Sequence, residues 1–163
     1  NLSKPVIAAV NGYALAGACE LVQICDIKVA SEHAVLGEPE IRSGIGPPLL
    51  ITPYSVNLAK AKEMLLTGDF ISAEKAEEIG LINNAVSKEK LASKVTELAE
   101  KIASKSTMTV TTGKKAFYAQ TEMDLSKAYE YTSKIMTDNL LKHDAKEGIN
   151  AFIEKRSPDW KDK

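Results

Sequence analysis

Two acidic positions beside a turn of small residues are the part of this chain best suited to chemistry. Glu20 lies one turn into a helical pattern that opens at Ala16-Gly17-Ala18. A second candidate acid follows twenty residues later, within Gly37-Glu38-Pro39-Glu40-Ile41. The apolar run Pro5-Val6-Ile7-Ala8-Ala9-Val10 reads as a buried strand and stops at Asn11-Gly12. A strand that feeds a small-residue turn opening a helix leaves backbone N–H groups unpaired and pointing outward. Such donors stabilise an anion that develops during a reaction, and small side chains let a substrate approach them closely. A turn of this kind with two carboxyls suits acid–base chemistry on a carbonyl compound.

The elements that must hold these residues follow from hydrophobic period and punctuation. Residues 4–11 are expected as a strand, about 17–25 as a helix, and 26–30 and 34–36 as further short strands. That order argues for a parallel or mixed α/β layer. Gly and Pro punctuate residues 42–53, which read as a loop with a short helical turn. Beyond Pro53 the pattern is almost all helical. Ser72 is placed to cap a helix over Ala73–Ile79, with Gly80 at its C′ position. Ser87 can cap the next helix, and others are expected over about 107–120 and 124–141. Asp144 with Glu147 reads as a capping box for a last helix running toward Arg156. The face formed by Leu125, Ala128, Tyr129, Thr132, Ile135 and Met136 reads as core or as a subunit interface.

Bulk properties exclude several classes. The 163 residues leave room for one domain with a core, at ordinary hydrophobic and charged content. A net charge of −1 with scattered Lys and Arg offers no basic field for nucleic acid and no polybasic membrane signal. No apolar run is long enough to span a bilayer. Cys19 and Cys25, six apart on one expected helix, point to different faces and read as reduced, buried thiols. His33 and His143 have no partners at metal or triad spacing, and Ser43 and Ser55 lack a nucleophile-elbow context.

The stretch Lys4–Leu21 resembles the signature of the crotonases, the enoyl-CoA hydratase/isomerase superfamily. The resemblance continues through Cys25-Asp26-Ile27, Gly37-Glu38-Pro39-Glu40-Ile41, Leu66-Thr67-Gly68-Asp69, and Ile71-Ser72-Ala73 to Gly80-Leu81-Ile82. It ends at Glu147-Gly148-Ile149-Asn150-Ala151-Phe152-Ile153-Glu154-Lys155-Arg156. It is closest to an enoyl-CoA hydratase and to the C-terminal part of the family domain, because crotonases carry further strands and helices ahead of the position of Asn1. The implied fold is α/β and crotonase-like. Residues 1–55 would form a partial ββα spiral core with the oxyanion turn and the glutamates. Residues 56–163 would form a helical region used in trimer assembly.

The implied activity is that of a lyase, the syn addition of water to a 2-enoyl-CoA to give a 3-hydroxyacyl-CoA in fatty acid metabolism. Glu20 and Glu40 match the two catalytic glutamates, and Gly17 matches the residue whose N–H enters the oxyanion hole. Phe152 and Lys155 match positions where a C-terminal helix approaches CoA, often from a neighbouring subunit. Glu38 falls at a variable position and is expected to be exposed or to stand behind the catalytic pair. No cofactor is implied beyond the CoA of the substrate, and no metal. The expected partners are an acyl-CoA and further copies of the chain as a trimer or a hexameric dimer of trimers, and a separate N-terminal polypeptide is allowed. Neither nucleic acid nor membrane is among them. The implied location is cytoplasmic, or the mitochondrial matrix in a eukaryote.

Two departures from the family pattern bear on substrate choice. Ala16-Gly17-Ala18 stands where three consecutive glycines are usual, and Gly44-Ile45-Gly46-Pro47-Pro48 replaces a glycine-rich turn that helps hold the water. The rival activities are therefore a dienoyl-CoA hydratase, or an acyl-CoA isomerase, hydrolase or decarboxylase of the same superfamily. A non-catalytic assembly or regulatory fragment is the rival of another class.

Overall fold

The computed structural model describes residues 2–46 and 51–163, so the expected departure at Pro47-Pro48 lies outside the described residues. The chain forms two compact units, Val6–Ala99 and residues 2–5 with Glu100–Lys163. The break expected at residue 55 therefore falls inside the first unit.

In that unit, β1 (Ile7–Val10), β2 (Tyr13–Leu15), α1 (Gly17–Gln23), β3 (Ile27–Ser31) and β4 (Val35–Gly37) follow one another. A 3-10 helix over Pro39–Ser43 comes next, then α2 (Thr52–Ser55), α3 (Leu58–Thr67), β5 (Ile71–Ser72), α4 (Ala73–Glu78) and β6 (Asn84–Val86). The strands make two small sheets, β1-β3-β6, all parallel, and β2-β4-β5, with β5 antiparallel to β4. The α/β expectation holds for this unit. Three strands were not expected. β2 lies where a turn was read, and β5 and β6 lie in stretches between the expected helices. Each has only two or three residues and owes its conformation to a distant partner. Between the strands and helices Val10, Val22, Leu36, Met64, Leu81 and Ile82 form the buried core.

Capping fixes the helix starts. The Asn57 side chain accepts from the Lys60 N–H at 3.0 Å, and the Ser72 hydroxyl accepts from the Lys75 N–H at 3.2 Å, as expected for Ser72. Ser87 precedes a short 3-10 turn over Lys88–Lys90, which leads into α5 (Leu91–Ala103), and its side chain makes no capping bond.

The second unit is helical, with α6 (Thr107–Gln120), α7 (Leu125–Leu140) and α8 (His143–Glu154). No described residue of α7 is fully buried, and Leu125 and Tyr129 are 87% and 75% exposed. The α7 face is therefore not core within this chain. The expected capping box is also corrected. α8 begins at His143 with Lys142 at the N-cap, and Asp144 and Glu147 turn instead to the C-terminal tail. Asp144 accepts from the Lys161 and Asp162 N–H groups at 2.9 and 3.0 Å, and Glu147 accepts from Asp159 N–H and pairs with Arg156. The tail folds back and presents the N–H groups of Asp159, Lys161 and Asp162 to these two carboxylates. The Trp160 indole N–H reaches the Ser104 carbonyl at 2.8 Å in the same arrangement. Among the described residues no helix is long and apolar enough to cross a membrane.

Candidate active site

Parallel pairing of β2 with β4 explains how acids twenty residues apart meet. Tyr13 pairs with Val35 and Leu15 with Gly37, so the chain leaves both strands side by side. One exit turns into α1 and the other into the 3-10 helix. The join is made at Ala16, whose N–H donates to the Gly37 carbonyl at 2.9 Å. The Ala16 carbonyl then accepts from Cys19 and Glu20 N–H at 2.7 and 3.2 Å, which starts the helix. Ala16 has φ 55° and ψ −133°, a conformation natural to glycine. Gly17 follows as the exposed first residue of α1, and among the described residues its N–H meets no acceptor.

Glu20 is half-buried on α1, and Glu40 is half-buried on the 3-10 helix. Pro39 opens that helix, where its fixed φ and missing N–H cost nothing. The segment Gly68–Phe70 braces it from behind. The Arg42 guanidinium lies over the Phe70 ring, 5.2 Å from its centre. Gly68 and Gly37 permit the close approach. A Cβ on Gly68 would stand 2.9 Å from both Ile41 Cγ2 and Arg42 Cγ, and one on Gly37 would stand 3.1 Å from the Asp69 carbonyl oxygen.

Glu38 was expected either to be exposed or to stand behind the catalytic pair. Far from exposed, it is fully buried, at 0% exposure. Gln23 Nε2 donates to Glu38 Oε1 at 2.6 Å and lies 3.6 Å from Cys19 Sγ, so three buried side chains interlock. Burial raises the Glu38 carboxyl to about 7, the charges of Glu40 and Glu20 push it the same way, and hydrogen bonds from Cys19 and Gln23 oppose them. Burial likewise pushes the Cys19 thiol up to about 12, and the Glu38 charge adds to it, so the thiol is inert at neutral pH. Both cysteines are free, Cys19 buried and Cys25 only half-buried. Three oxygens here, Gln23 Oε1, Glu38 Oε2 and Glu40 Oε2, are buried without a hydrogen-bond partner among the described residues. Two signals pointed to this cluster. Glu38 directly follows the strand residues Leu36 and Gly37, both of them buried, and Gln23 lies one helical turn from Cys19 and Glu20.

Phe152 and Lys155 belong to the second unit. Phe152 is 85% exposed on α8. Lys155 is the left-handed residue that ends the helix, at φ 54°, rather than a member of its face. Among the described residues no cluster of three or more His, Cys, Asp or Glu is arranged to hold a metal ion.

The fold and site define an α/β protein with a carboxyl cluster beside a helix-opening turn. The family described as enoyl-CoA hydratase/isomerase matches residues 1–163, and the chain belongs to it. It is 44% identical over 98% of its length to the mitochondrial enoyl-CoA hydratase domain-containing protein 3 of Rattus norvegicus. It is 41% identical over 99% of its length to a mitochondrial enoyl-CoA hydratase of Pongo abelii. The solved structure of an enoyl-CoA hydratase from Bacillus anthracis superposes with TM-score 0.96 at 37% identity, covering 100% of this chain. The chain spans 54% and 57% of the length of those two relatives and 64% of that structure.

Proposed function

We propose that the chain carries the acid–base pair and one anion-binding N–H of an enoyl-CoA hydratase. The observation that supports this most directly is that α1 and the 3-10 helix, which carry Glu20 and Glu40, leave the paired strands β2 and β4 side by side, joined by the Ala16 N–H to the Gly37 carbonyl. In this reading a water between the Glu20 and Glu40 carboxylates loses a proton to one of them as its oxygen bonds to the β-carbon of a 2-enoyl thioester. The π electrons move toward the thioester oxygen, where the Gly17 N–H meets the developing enolate. A donor of that kind is worth on the order of 3 kcal/mol. A proton delivered by the carboxyl pair to the α-carbon completes a 3-hydroxyacyl-CoA with no metal or redox cofactor, CoA being part of the substrate. The relatives named as hydratases support the same reaction.

Two further roles belong to this proposal. Exposed Phe152 would stack on the CoA adenine and Lys155 would meet a phosphate, in an assembly that places α8 beside a neighbouring copy's site. The apolar side chains exposed along α7 would be covered in a trimer or dimer of trimers. Incubation of the protein with a 2-enoyl-CoA in heavy-oxygen water tests the reaction. Heavy oxygen is expected at C3 of the product, and Glu20→Gln and Glu40→Gln should each lower turnover by about 10²-fold or more. A shifted double bond without oxygen incorporation would make the protein an isomerase, and near-native turnover in either variant would remove that glutamate from the mechanism.

A further inference from the structure

A third buried carboxyl in a site that needs two calls for a role. An ionised Glu38 would sit without solvent beside Glu20 and Glu40, and no cation is among the groups that act most strongly on it. Those facing it from α1 are Cys19, Glu20 and Gln23, and from the 3-10 helix Glu40. Of the three carboxyls Glu38 alone is fully buried, and desolvation beside like charges favours its neutral form. The hydrogen bonding also decides which oxygen holds the proton. Oε1 is taken up as acceptor from Gln23 Nε2 at 2.6 Å, whereas Oε2 is buried with no partner among the described residues and is the oxygen left to carry a proton. The proton therefore belongs on Oε2.

We propose that Glu38 is a positioning residue of this site: it is held as the neutral acid, clamped at Oε1 by Gln23 and protonated at Oε2, and so adds no negative charge of its own beside Glu20 and Glu40 while the enolate develops. This rests on the hydratase reading, since only a reaction that builds negative charge is slowed by a third carboxylate. Above neutral pH Glu38 loses its proton. The added charge then opposes the developing enolate.

The test is the pH profile of kcat/KM for but-2-enoyl-CoA, which reports groups titrating in the free enzyme. With Glu38 titrating near 7, the native rate should fall about tenfold from pH 6 to pH 8. Glu38→Gln, whose amide cannot ionise, should lack that fall. Gln23→Met, which removes a hydrogen bond favouring the ionised form, should move the fall to higher pH. Carbon-13 edited infrared spectra of the substrate-free protein supply a readout independent of turnover. A neutral carboxylic acid band is expected at pH 6, lost by pH 8 and missing from Glu38→Gln. Superimposable profiles for native protein and Glu38→Gln overturn the proposal, and so does a native spectrum without the acid band. If Glu38→Gln fails to fold, the Gln23→Met shift and the native spectrum decide. An acid band in a protein that hydrates no enoyl-CoA would sink the hydratase reading and with it the positioning role, leaving only the buried proton.

Discussion

Gly68 and Gly80 offer a matched pair for measuring how firmly the Glu40 helix is braced. Both have left-handed backbones, φ 66° and 79°, and both follow a helix, α3 and α4. An alanine at either position carries a left-handed cost of about 1 kcal/mol. The two differ in what a methyl group meets. At Gly80 it finds nothing within 4 Å, whereas at Gly68 it stands 2.9 Å from Ile41 Cγ2 and Arg42 Cγ. Both atoms are bonded directly to Cβ, so relief requires changing χ1 of Ile41 and Arg42 or shifting the 3-10 helix. Overpacking of that kind costs about 1–3 kcal/mol. Gly80→Ala should therefore lose about 1 kcal/mol and Gly68→Ala about 2–4 kcal/mol, measured by urea unfolding at constant m. Turnover should separate the variants as well, because Ile41 and Arg42 follow Glu40 directly. Equal losses of stability for the two alanines would refute the idea that Gly68 presses on the acid-bearing helix.

Two other perturbations address the turn and the tail. Ala16→Gly should stabilise the protein by about 1 kcal/mol, because Ala16 holds φ 55° and ψ −133°, and an unchanged or lower urea midpoint would contradict strain there. Asp144 is held down to about 2, first by the Ser106 hydroxyl and then by the Lys161 N–H, below its ordinary value of 3.8. Its folded value is the lower one, so its contribution is full above about pH 4 and is lost as pH falls toward 2. Trp160, the only tryptophan, should report this as a red shift of emission over that window, and Asp144→Asn should be red-shifted at neutral pH already. Native emission from Asp144→Asn at pH 7 would refute the tail anchor.

What the sequence made legible was local. β1, α1, the Ser72 cap and Gly80 beyond α4 each follow from residues within one turn or one strand of themselves. β2, β5 and β6 did not, because a two- or three-residue strand has no period of its own. β2 is extended because β4 lies beside it, and β6 because β3 does. The Asp144 and Glu147 spacing obeyed the capping rule and still misled. The rule weighs only the helix's own N–H groups, and here the donors arrive from Asp159, Lys161 and Asp162.

The site divides along the same line. Glu20, Glu40 and Gly17 were singled out through their motifs, since each motif carries its residue in one continuous stretch of chain, and their roles belong to the proposed function. Glu38 lies inside the second motif and was left open between an exposed and a supporting place, because nothing in that stretch buries it. Its burial requires α1 to bring Cys19 and Gln23 across the β2–β4 pair, and Gly68–Phe70 to close on Gly37 from the far side. Those contacts span from fifteen to more than thirty residues of sequence. A carboxyl surrounded in that way stays in a folded protein only if it is neutral or paired. Glu38 has no cationic partner among the groups that act most strongly on it, so the packing that hid it from the sequence is also what keeps its proton in place.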